Sequence, residues 1–302
     1  MNIGFSINRL GMVGLGATIT SMLRNCSQPD LLVIWILCAD LLPQDKKNIK
    51  TLLEKEHFNG QFHLIDISPQ IEFGDLHPLH GDWTNYGRLL LPEHIADDKV
   101  LYLDSDIVIE EDVLKFNTFE LNDYGLAAVP TTPLGTVMEH YIYVTLMSLN
   151  PLLASFNSGV LLINLDYWRK NNIKEQCKTL GLRLKPAAKF RDQVLLNIIF
   201  AGSYKELPIH FNYEWAPHLS IPTNKTNRQI NHFIGSPKPW DICGRFIHSG
   251  HDTWAKYADV NWIKEYKTMD RPTLRRTWKI RRSYARTLYM KSVFSKKSCE
   301  KN

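Results

Sequence analysis

VLYLDSDIVI, residues 100–109, sets two carboxylates, Asp104 and Asp106, inside a run that is otherwise apolar. A buried charge is costly unless something pairs with it, so a cation is expected beside these acids. In extended backbone the first and third side chains of Asp-Ser-Asp point to the same side. Two carboxylates that close repel each other, and an oxygen-seeking dication such as Mg²⁺, Ca²⁺ or Mn²⁺ relieves the repulsion. The competing reading is a surface turn with two solvated acids, and the apolar flanks on both sides weigh against it.

Upstream of this stretch, strand-like and helix-like runs alternate. NIGFSI (2–7), a helical GATITSMLRN (16–25), LLVIWILC (31–38), a Pro-started helix PQDKKNIKTLLEKEHF (43–58) and QFHLIDI (61–67) follow in turn. A helix around Asn85 to His94 leads into KVLYLD (99–104). Continuous apolar strands between helices predict an α/β fold, a mostly parallel, Rossmann-like sheet flanked by helices on both faces. Such sheets bind ligands beyond the carboxyl ends of their strands, which is where Asp104 and Asp106 fall. Downstream, FNSGVLLINL (156–165) reads as one buried strand and DYWRKNNIKEQCKTL (166–180) as one helix opened by Asp166. RDQVLLNIIF (191–200) reads as a helix and RQINHFIG (228–235) as a strand, after which SPKPW (236–240) breaks into a loop.

Of 302 residues, 44% are apolar and 22% charged, an ordinary composition for a soluble protein with one large domain or two small ones. Cys26, Cys38, Cys177, Cys243 and Cys299 are scattered without a C-x-x-C pair, which argues against a disulfide framework and a structural zinc site and fits a reducing compartment. No basic and apolar leader follows Met1 and no run of eighteen apolar residues occurs, so neither a signal peptide nor a membrane span is expected.

The net charge of +5 is unevenly spread. From Arg271 to Asn302 eleven Lys or Arg face one acid, Glu300, a net of +10, so the remainder carries −5. An acidic body without a nucleic-acid-binding motif leaves no nucleic-acid partner to expect. RPTLRRTWKIRRSYARTLYMK (271–291) reads as a basic amphipathic helix with Leu274, Trp278, Ala285 and Leu288 near one face. That pattern suits peripheral contact with an anionic membrane surface; a solvated charged helix is the alternative.

D-S-D-I-V also satisfies the D-x-D-x-T/V pattern of haloacid-dehalogenase-like phosphatases, whose first Asp is the nucleophile. That family usually carries the motif on its first strand, whereas about a hundred residues precede it here and no G-D-x-x-x-D follows. Five stretches in order point elsewhere: T-N-Y-G-R-L (84–89), V-L-Y-L-D-S-D (100–106), F-N-S-G-V-L-L-I-N (156–164), R-D-Q (191–193) and N-H-F-I-G-S-P-K-P-W (231–240). In these the chain resembles the retaining glycosyltransferases of family 8, the group containing bacterial lipopolysaccharide galactosyl- and glucosyltransferases and the glycogenins. The resemblance runs from the first strand to about Trp240.

The resemblance implies a GT-A fold for a catalytic domain over residues 1–262, followed by a basic, aromatic extension, 263–302. It implies transfer of a hexose from UDP-glucose or UDP-galactose to a hydroxyl of a glycan or glycolipid acceptor, such as lipooligosaccharide or surface polysaccharide, at the cytoplasmic face of a membrane. Mn²⁺ or Mg²⁺ would be held by Asp104, Asp106 and His232, the histidine of H-x-x-G-x-x-K-P-W, and acid would weaken that binding by protonating the imidazole. Lys238 would bind the diphosphate, Gly235 would allow close backbone approach, and Ser105 would lie at the donor. Arg88 and Asn157 would contact the donor sugar, Asp192 would bind its hydroxyls, and Gln193 would lie near the anomeric carbon. Each has a plainer alternative: a half-buried histidine, a solvated lysine or arginine, a turn glycine, a strand-end Asn, an acid in a helix's first turn.

Retention comes from the resemblance alone, and no residue announces itself as a nucleophile, Asp192 being the nearest candidate. The expected route is a front-face one, with the leaving phosphate helping to deprotonate the acceptor hydroxyl. The first strand departs from the family's A-x-D-x-N-Y pattern, since F-S-I-N-R-L (5–10) has Asn8 at the usual acid and Leu10 at the usual Asn. Ser6 and Asn8 are the expected nucleotide contacts. That departure motivates a third reading, a non-catalytic carbohydrate-binding protein with a degenerate donor site.

Overall fold

Alternating apolar strands and amphipathic helices carry the chain through β1 (Asn2–Asn8), α1 (Met12–Asn25), β2 (Val33–Ala39), α2 (Pro43–Lys55), β3 (Gln61–Asp66) and the short α3 (Pro69–Phe73). These come from a computed structural model, which describes residues 1–78, 81–187, 191–219 and 228–299. α2 starts where the sequence places it: Pro43 occupies the first turn, where a missing N–H costs nothing, and the Asp45 carboxylate accepts the Leu42 N–H at 2.8 Å. β1 lies between β2 and β4 (Lys99–Leu103), parallel to both, and β2 is parallel to β3.

The segment before β4 is not the single helix expected at 85–94. It is a 3₁₀ segment, Thr84–Leu90, followed by the four-residue α4 (Leu91–His94). The tighter winding lets the segment lie directly on β1. Ser6 Oγ donates to the Thr84 carbonyl at 2.7 Å, and a Cβ on Gly87 would clash with Ser6 Oγ.

β4 is followed by β5 (Ile107–Ile109), β6 (Leu126–Ala128), β7 (Pro130–Pro133), β8 (Ala154–Phe156) and β9 (Val160–Asn164). The run 156–165 is therefore two strands, because Asn157 folds its side chain back to accept the Gly159 N–H at 2.8 Å and breaks the extension. The expected helix 166–180 is likewise two, α5 (Leu165–Lys170) and α6 (Ile173–Leu184). They part at Asn172, which takes a left-handed φ of 49° that Asn tolerates better than most residues. α7 (Asp192–Ile199), β10 (Lys205–Glu206), β11 (Tyr213–Glu214) and β12 (Ile230–His232) follow. The strand expected at 228–235 shortens to these last three residues.

Among the described residues one sheet of seven strands runs β10-β6-β9-β4-β1-β2-β3, mostly parallel, with β9 antiparallel to both neighbours. A second sheet runs β11-β12-β5. Apolar clusters cover both faces of the large sheet, Ile3, Phe5 and Ile7 packing with Leu15 and Ile19 on one side. Tyr86, Tyr102, Leu161 and Trp168 pack on the other. Ile3, Phe5 and Ile7 each have at most 1% of their surface exposed, as the period-2 rule for β1 requires.

The chain ends with α8 (Gly244–Ile247), α9 (His251–Ala255), α10 (Val260–Tyr266), α11 (Arg271–Lys279) and α12 (Arg281–Cys299). The single tail helix expected over 271–291 is broken at Ile280, with Leu274 and Trp278 on α11 and Ala285 and Leu288 on α12, all exposed. Tertiary anchors explain the bend. Arg276 bonds Asp241 and Tyr284 Oη donates to the Ile242 carbonyl, neighbouring residues that anchors eight positions and about 12 Å apart on a straight helix would straddle.

Candidate active site

Three chain crossings converge where β4 ends. The Asp104 N–H donates to the Gly159 carbonyl at 2.8 Å, tying that end to the loop between β8 and β9. Three residues on, β5 pairs antiparallel with β12, Ile107 facing His232. Asp104, Asp106 and His232 thereby bring their ligand atoms within 4.8 Å of one another.

The hydrogen bonds around His232 fix what it offers. Asn212 Nδ2 lies 3.4 Å from Asn157 Oδ1, which leaves Asn212 Oδ1 as the acceptor facing His232 Nδ1 at 3.1 Å. Nδ1 then carries the ring proton, and Nε2 presents a bare lone pair. It lies 3.2 Å from Asp106 Oδ1, a buried oxygen with no hydrogen-bond donor. Two acceptors face to face, with a second carboxylate alongside, form a set of O, O and N donors that fits a divalent cation.

The two carboxylates feel opposite fields. Burial pushes Asp104 up from its ordinary value, Arg88 offsets only part of this, and Asp106 adds to the rise. Burial acts on Asp106 too, but the Lys238 ammonium outweighs it and holds the carboxyl well below the usual range. Lys238 Nζ lies 2.6 Å from Asp106 Oδ2 and also donates to the Phe233 carbonyl.

Beside the acids sits a buried arginine, Arg88, 3% exposed. Its Nη2 is 3.1 Å from Asp104 Oδ1, its Nε 3.0 Å from Asp192 Oδ2, and Nη1 donates to the Ser158 carbonyl. The guanidinium stacks over the Tyr102 ring at 4.2 Å. Burial alone would lower its pKa, yet Asp192, Tyr102 and Asp104 more than compensate and keep it cationic. Asp192 opens α7, where a helix favours negative charge, and accepts from Asn85 Nδ2. Asn85 Oδ1 is buried without a hydrogen-bond donor, an acceptor suited to a hydroxyl group.

All twelve residues singled out in the sequence line one cleft of about 590 Å³: Ser6, Asn8, Arg88, Asp104, Ser105, Asp106, Asn157, Asp192, Gln193, His232, Gly235 and Lys238. Gln193 Oε1 accepts the Ser158 N–H at 3.1 Å, holding its amide against the Asn157 turn. Gly235 has a φ of 70°, a left-handed conformation that a side chain would strain, at the wall beside Lys238. Asn8 donates to the Asp82 carboxylate, and Asp82 Oδ1 accepts the Thr84 N–H at 2.6 Å, so an acid does face this end of the cleft, from the loop and not from β1.

The sequence model of Glycosyl transferase family 8 matches residues 2–243. The chain belongs to that family. Among its relatives, the lipopolysaccharide 1,3-galactosyltransferase of Salmonella typhimurium is 24% identical over 271 residues, 84% of this chain and 77% of that protein. The glycosyltransferase GlyF of Streptococcus pneumoniae is 24% identical over 257 residues, 83% of this chain but only 59% of GlyF, so the chain spans little more than half of that relative. The galactosyltransferase LgtC, crystallised with donor and acceptor sugar analogues, superposes with a TM-score of 0.71 at 25% identity, covering 90% of this chain and 98% of LgtC. The architecture is thus the GT-A fold.

Several cleft residues of this family 8 chain were not among the sequence candidates. Asn85 and Tyr102 lie inside quoted motifs, and a polar side chain two or three places from a charged one was the available signal. Asp82 and Arg276 in the cleft, and Asn212 behind His232, have no such local signal, since each is placed by contacts distant in sequence. Among the described residues no helix is long and apolar enough to cross a membrane. Cys26, Cys38, Cys177 and Cys243 are free thiols.

Proposed function

We propose that this chain is a metal-dependent, retaining hexosyltransferase that moves glucose or galactose from a UDP-sugar to a hydroxyl of a glycan acceptor, lipooligosaccharide or surface polysaccharide. The observation that carries the reading is the cluster of Asp104, Asp106 and His232 with Lys238 against the same carboxylate. Family membership favours it over the phosphatase and binding-only alternatives.

Asp104, Asp106 and His232 would hold Mn²⁺ or Mg²⁺, which when bound supplies Lewis acidity to the diphosphate oxygens. Lys238 carries a compact positive charge at the place where negative charge grows on the leaving UDP. Arg88 cannot itself move, being held by Asp104, Asp192 and Ser158, so it acts as a fixed post that aims both carboxylates. Asp192 and the unpaired Asn85 Oδ1 orient sugar hydroxyls, and Gln193 lies along the same wall as Asn157. Ser6, Asn8 and Ser105 face the nucleotide end, with Asp82 supplying the acid that β1 lacks. The sugar passes through an oxocarbenium-like state, and in a front-face route the departing phosphate takes the acceptor proton.

The basic extension fits peripheral attachment to the inner face of a membrane, where such acceptors are made, with residues 1–262 as the catalytic domain and 263–302 as the address. A thermal-shift panel of UDP-glucose, UDP-galactose, UDP-GlcNAc and GDP-mannose, each with and without Mn²⁺, tests the donor reading. Stabilisation by a UDP-hexose only when Mn²⁺ is present is the expected result, and indifference to every nucleotide sugar would defeat it.

A further inference from the structure

The family match stops at residue 243, yet the chain beyond it returns to the cleft. Arg276, on α11, lines the same cleft as Asp106 and Lys238. Its Nε and Nη2 donate to Asp241 Oδ1 at 2.8 Å and Oδ2 at 3.0 Å, a two-pronged fork that lysine could not reproduce. Asp241 Oδ2 in turn accepts the Lys238 backbone N–H at 2.7 Å. Two side chains, Arg276 and Asp241, therefore link the tail helix to the backbone of Lys238, the residue whose ammonium faces Asp106.

Fastening the tail does not by itself account for this arrangement, because Tyr284 already ties α12 to the Ile242 carbonyl. The charges in the cleft give Arg276 a use. Arg88 is consumed by Asp104 and Asp192; of the other cations lining the cleft, Arg191, Lys238 and Arg276, Lys238 pairs with Asp106 and Arg276 is tied to Lys238 through Asp241. Arg276 remains 45% exposed after pairing with Asp241, and its Nη1 has no hydrogen-bond partner among the described residues. An arginine whose one edge is locked and whose other edge is open to a cleft is preorganised for an anion.

We propose that α11 is part of the donor site: Arg276 positions Lys238 through Asp241 and presents its remaining N–H edge to the donor diphosphate. This rests on the nucleotide-sugar reading above and adds to it a contributor outside the family-matched region.

Titration calorimetry of UDP and of uridine, each with Mn²⁺, into full-length wild-type, R276A, R276Q and R276K protein tests it. Loss of one charge-assisted contact should weaken UDP binding about ten-fold in R276A and R276Q, with R276K recovering part of it and uridine binding unchanged. The donor KM should rise more than kcat falls. UDP affinity unchanged in R276A, or UDP and uridine weakened alike, overturns the proposal while leaving the donor reading intact. Wild-type protein that binds no UDP with Mn²⁺ overturns both. Should R276A fail to fold, R276Q, which keeps a hydrogen-bonding amide for Asp241 but no charge, carries the same comparison.

Discussion

His232 Nε2 lies 3.2 Å from Asp106 Oδ1 with no proton between them, because Asn212 has already drawn the ring hydrogen to Nδ1. Two lone pairs at this range repel, and a dication converts the repulsion into coordination. Mn²⁺ should therefore raise the melting temperature of the protein without any nucleotide. Outer-shell changes commonly lower metal affinity about 10–100-fold, so Asn212→Leu should cost that much and His232→Ala at least as much. A manganese titration followed by thermal unfolding separates these outcomes, and an unchanged midpoint shift in His232→Ala would remove the histidine from the ligand set.

Asp104 gives that binding a pH dependence with a definite sign. Its carboxyl is lifted by burial, while a metal binds only the ionised form. The Mn²⁺-dependent shift should be complete above the raised pKa and fade as pH falls through it, at higher pH than an ordinary aspartate would dictate. Repeating the titration between pH 4 and 8 checks this; a shift constant down to the usual carboxylate range contradicts it.

His248 makes a separate prediction about folding. Burial, then Lys238 and Lys291, pushes its pKa down to about 3, and the ring sits edge-on to Phe233 at a centroid distance of 5.3 Å. Its folded value is depressed, so the stability it contributes is present above the unfolded pKa and is lost as pH falls towards 3. Against an unfolded value of about 6.5, the loss at pH 5 is about 2 kcal/mol. Urea unfolding of wild type and His248→Phe should show a gentler decline from pH 7 to 5 in the variant.

Arg88→Lys should be poorly tolerated despite conserving charge. One ammonium cannot reach Asp104, Asp192 and the Ser158 carbonyl together, and the carboxylates it abandons stay buried. Breaking such a buried network costs about 3–5 kcal/mol. At roughly 2–4 °C per kcal/mol for a chain of this size class, calorimetry should record a drop of about 6–20 °C. A melting point within a degree of wild type would show that the network relaxes freely.

The tail offers a membrane test. Trp278 and Tyr289 are 69% and 67% exposed among basic residues, Arg281 stacking on Trp278 at 4.4 Å. If these rings anchor the chain to lipid, Trp278→Ala with Tyr289→Ala should lower sedimentation with anionic vesicles several-fold while leaving melting temperature unchanged. Equal sedimentation of the double variant and wild type would make the extension a solvated helix.

The sheet core was readable because its signals are local. β1, α1, β2, α2 and β3 each carry their own period and their own boundary residues, and neighbours could only reinforce them. Two of the misread segments share a different cause. At 156–165 and 166–180 the apolar pattern runs on while an Asn side chain or a left-handed Asn diverts the backbone, and pattern alone does not register that diversion. The pair Asp104 and Asp106 was legible for the same reason as the core, since both contradict the greasy run around them. Asp82 and Arg276 escaped because nothing near them in sequence is anomalous: only folding brings Asp82 to Asn8 and Arg276 to Asp241.

The contact between Gly87 and Ser6 has an evolutionary corollary. A methyl group at 87 has room only if the hydroxyl at 6 is surrendered, and that hydroxyl also tethers the 3₁₀ segment that delivers Arg88. In a randomised library these two positions should therefore covary, with bulk at one accepted chiefly alongside trimming at the other, so that drift in the floor of the cleft proceeds in paired steps.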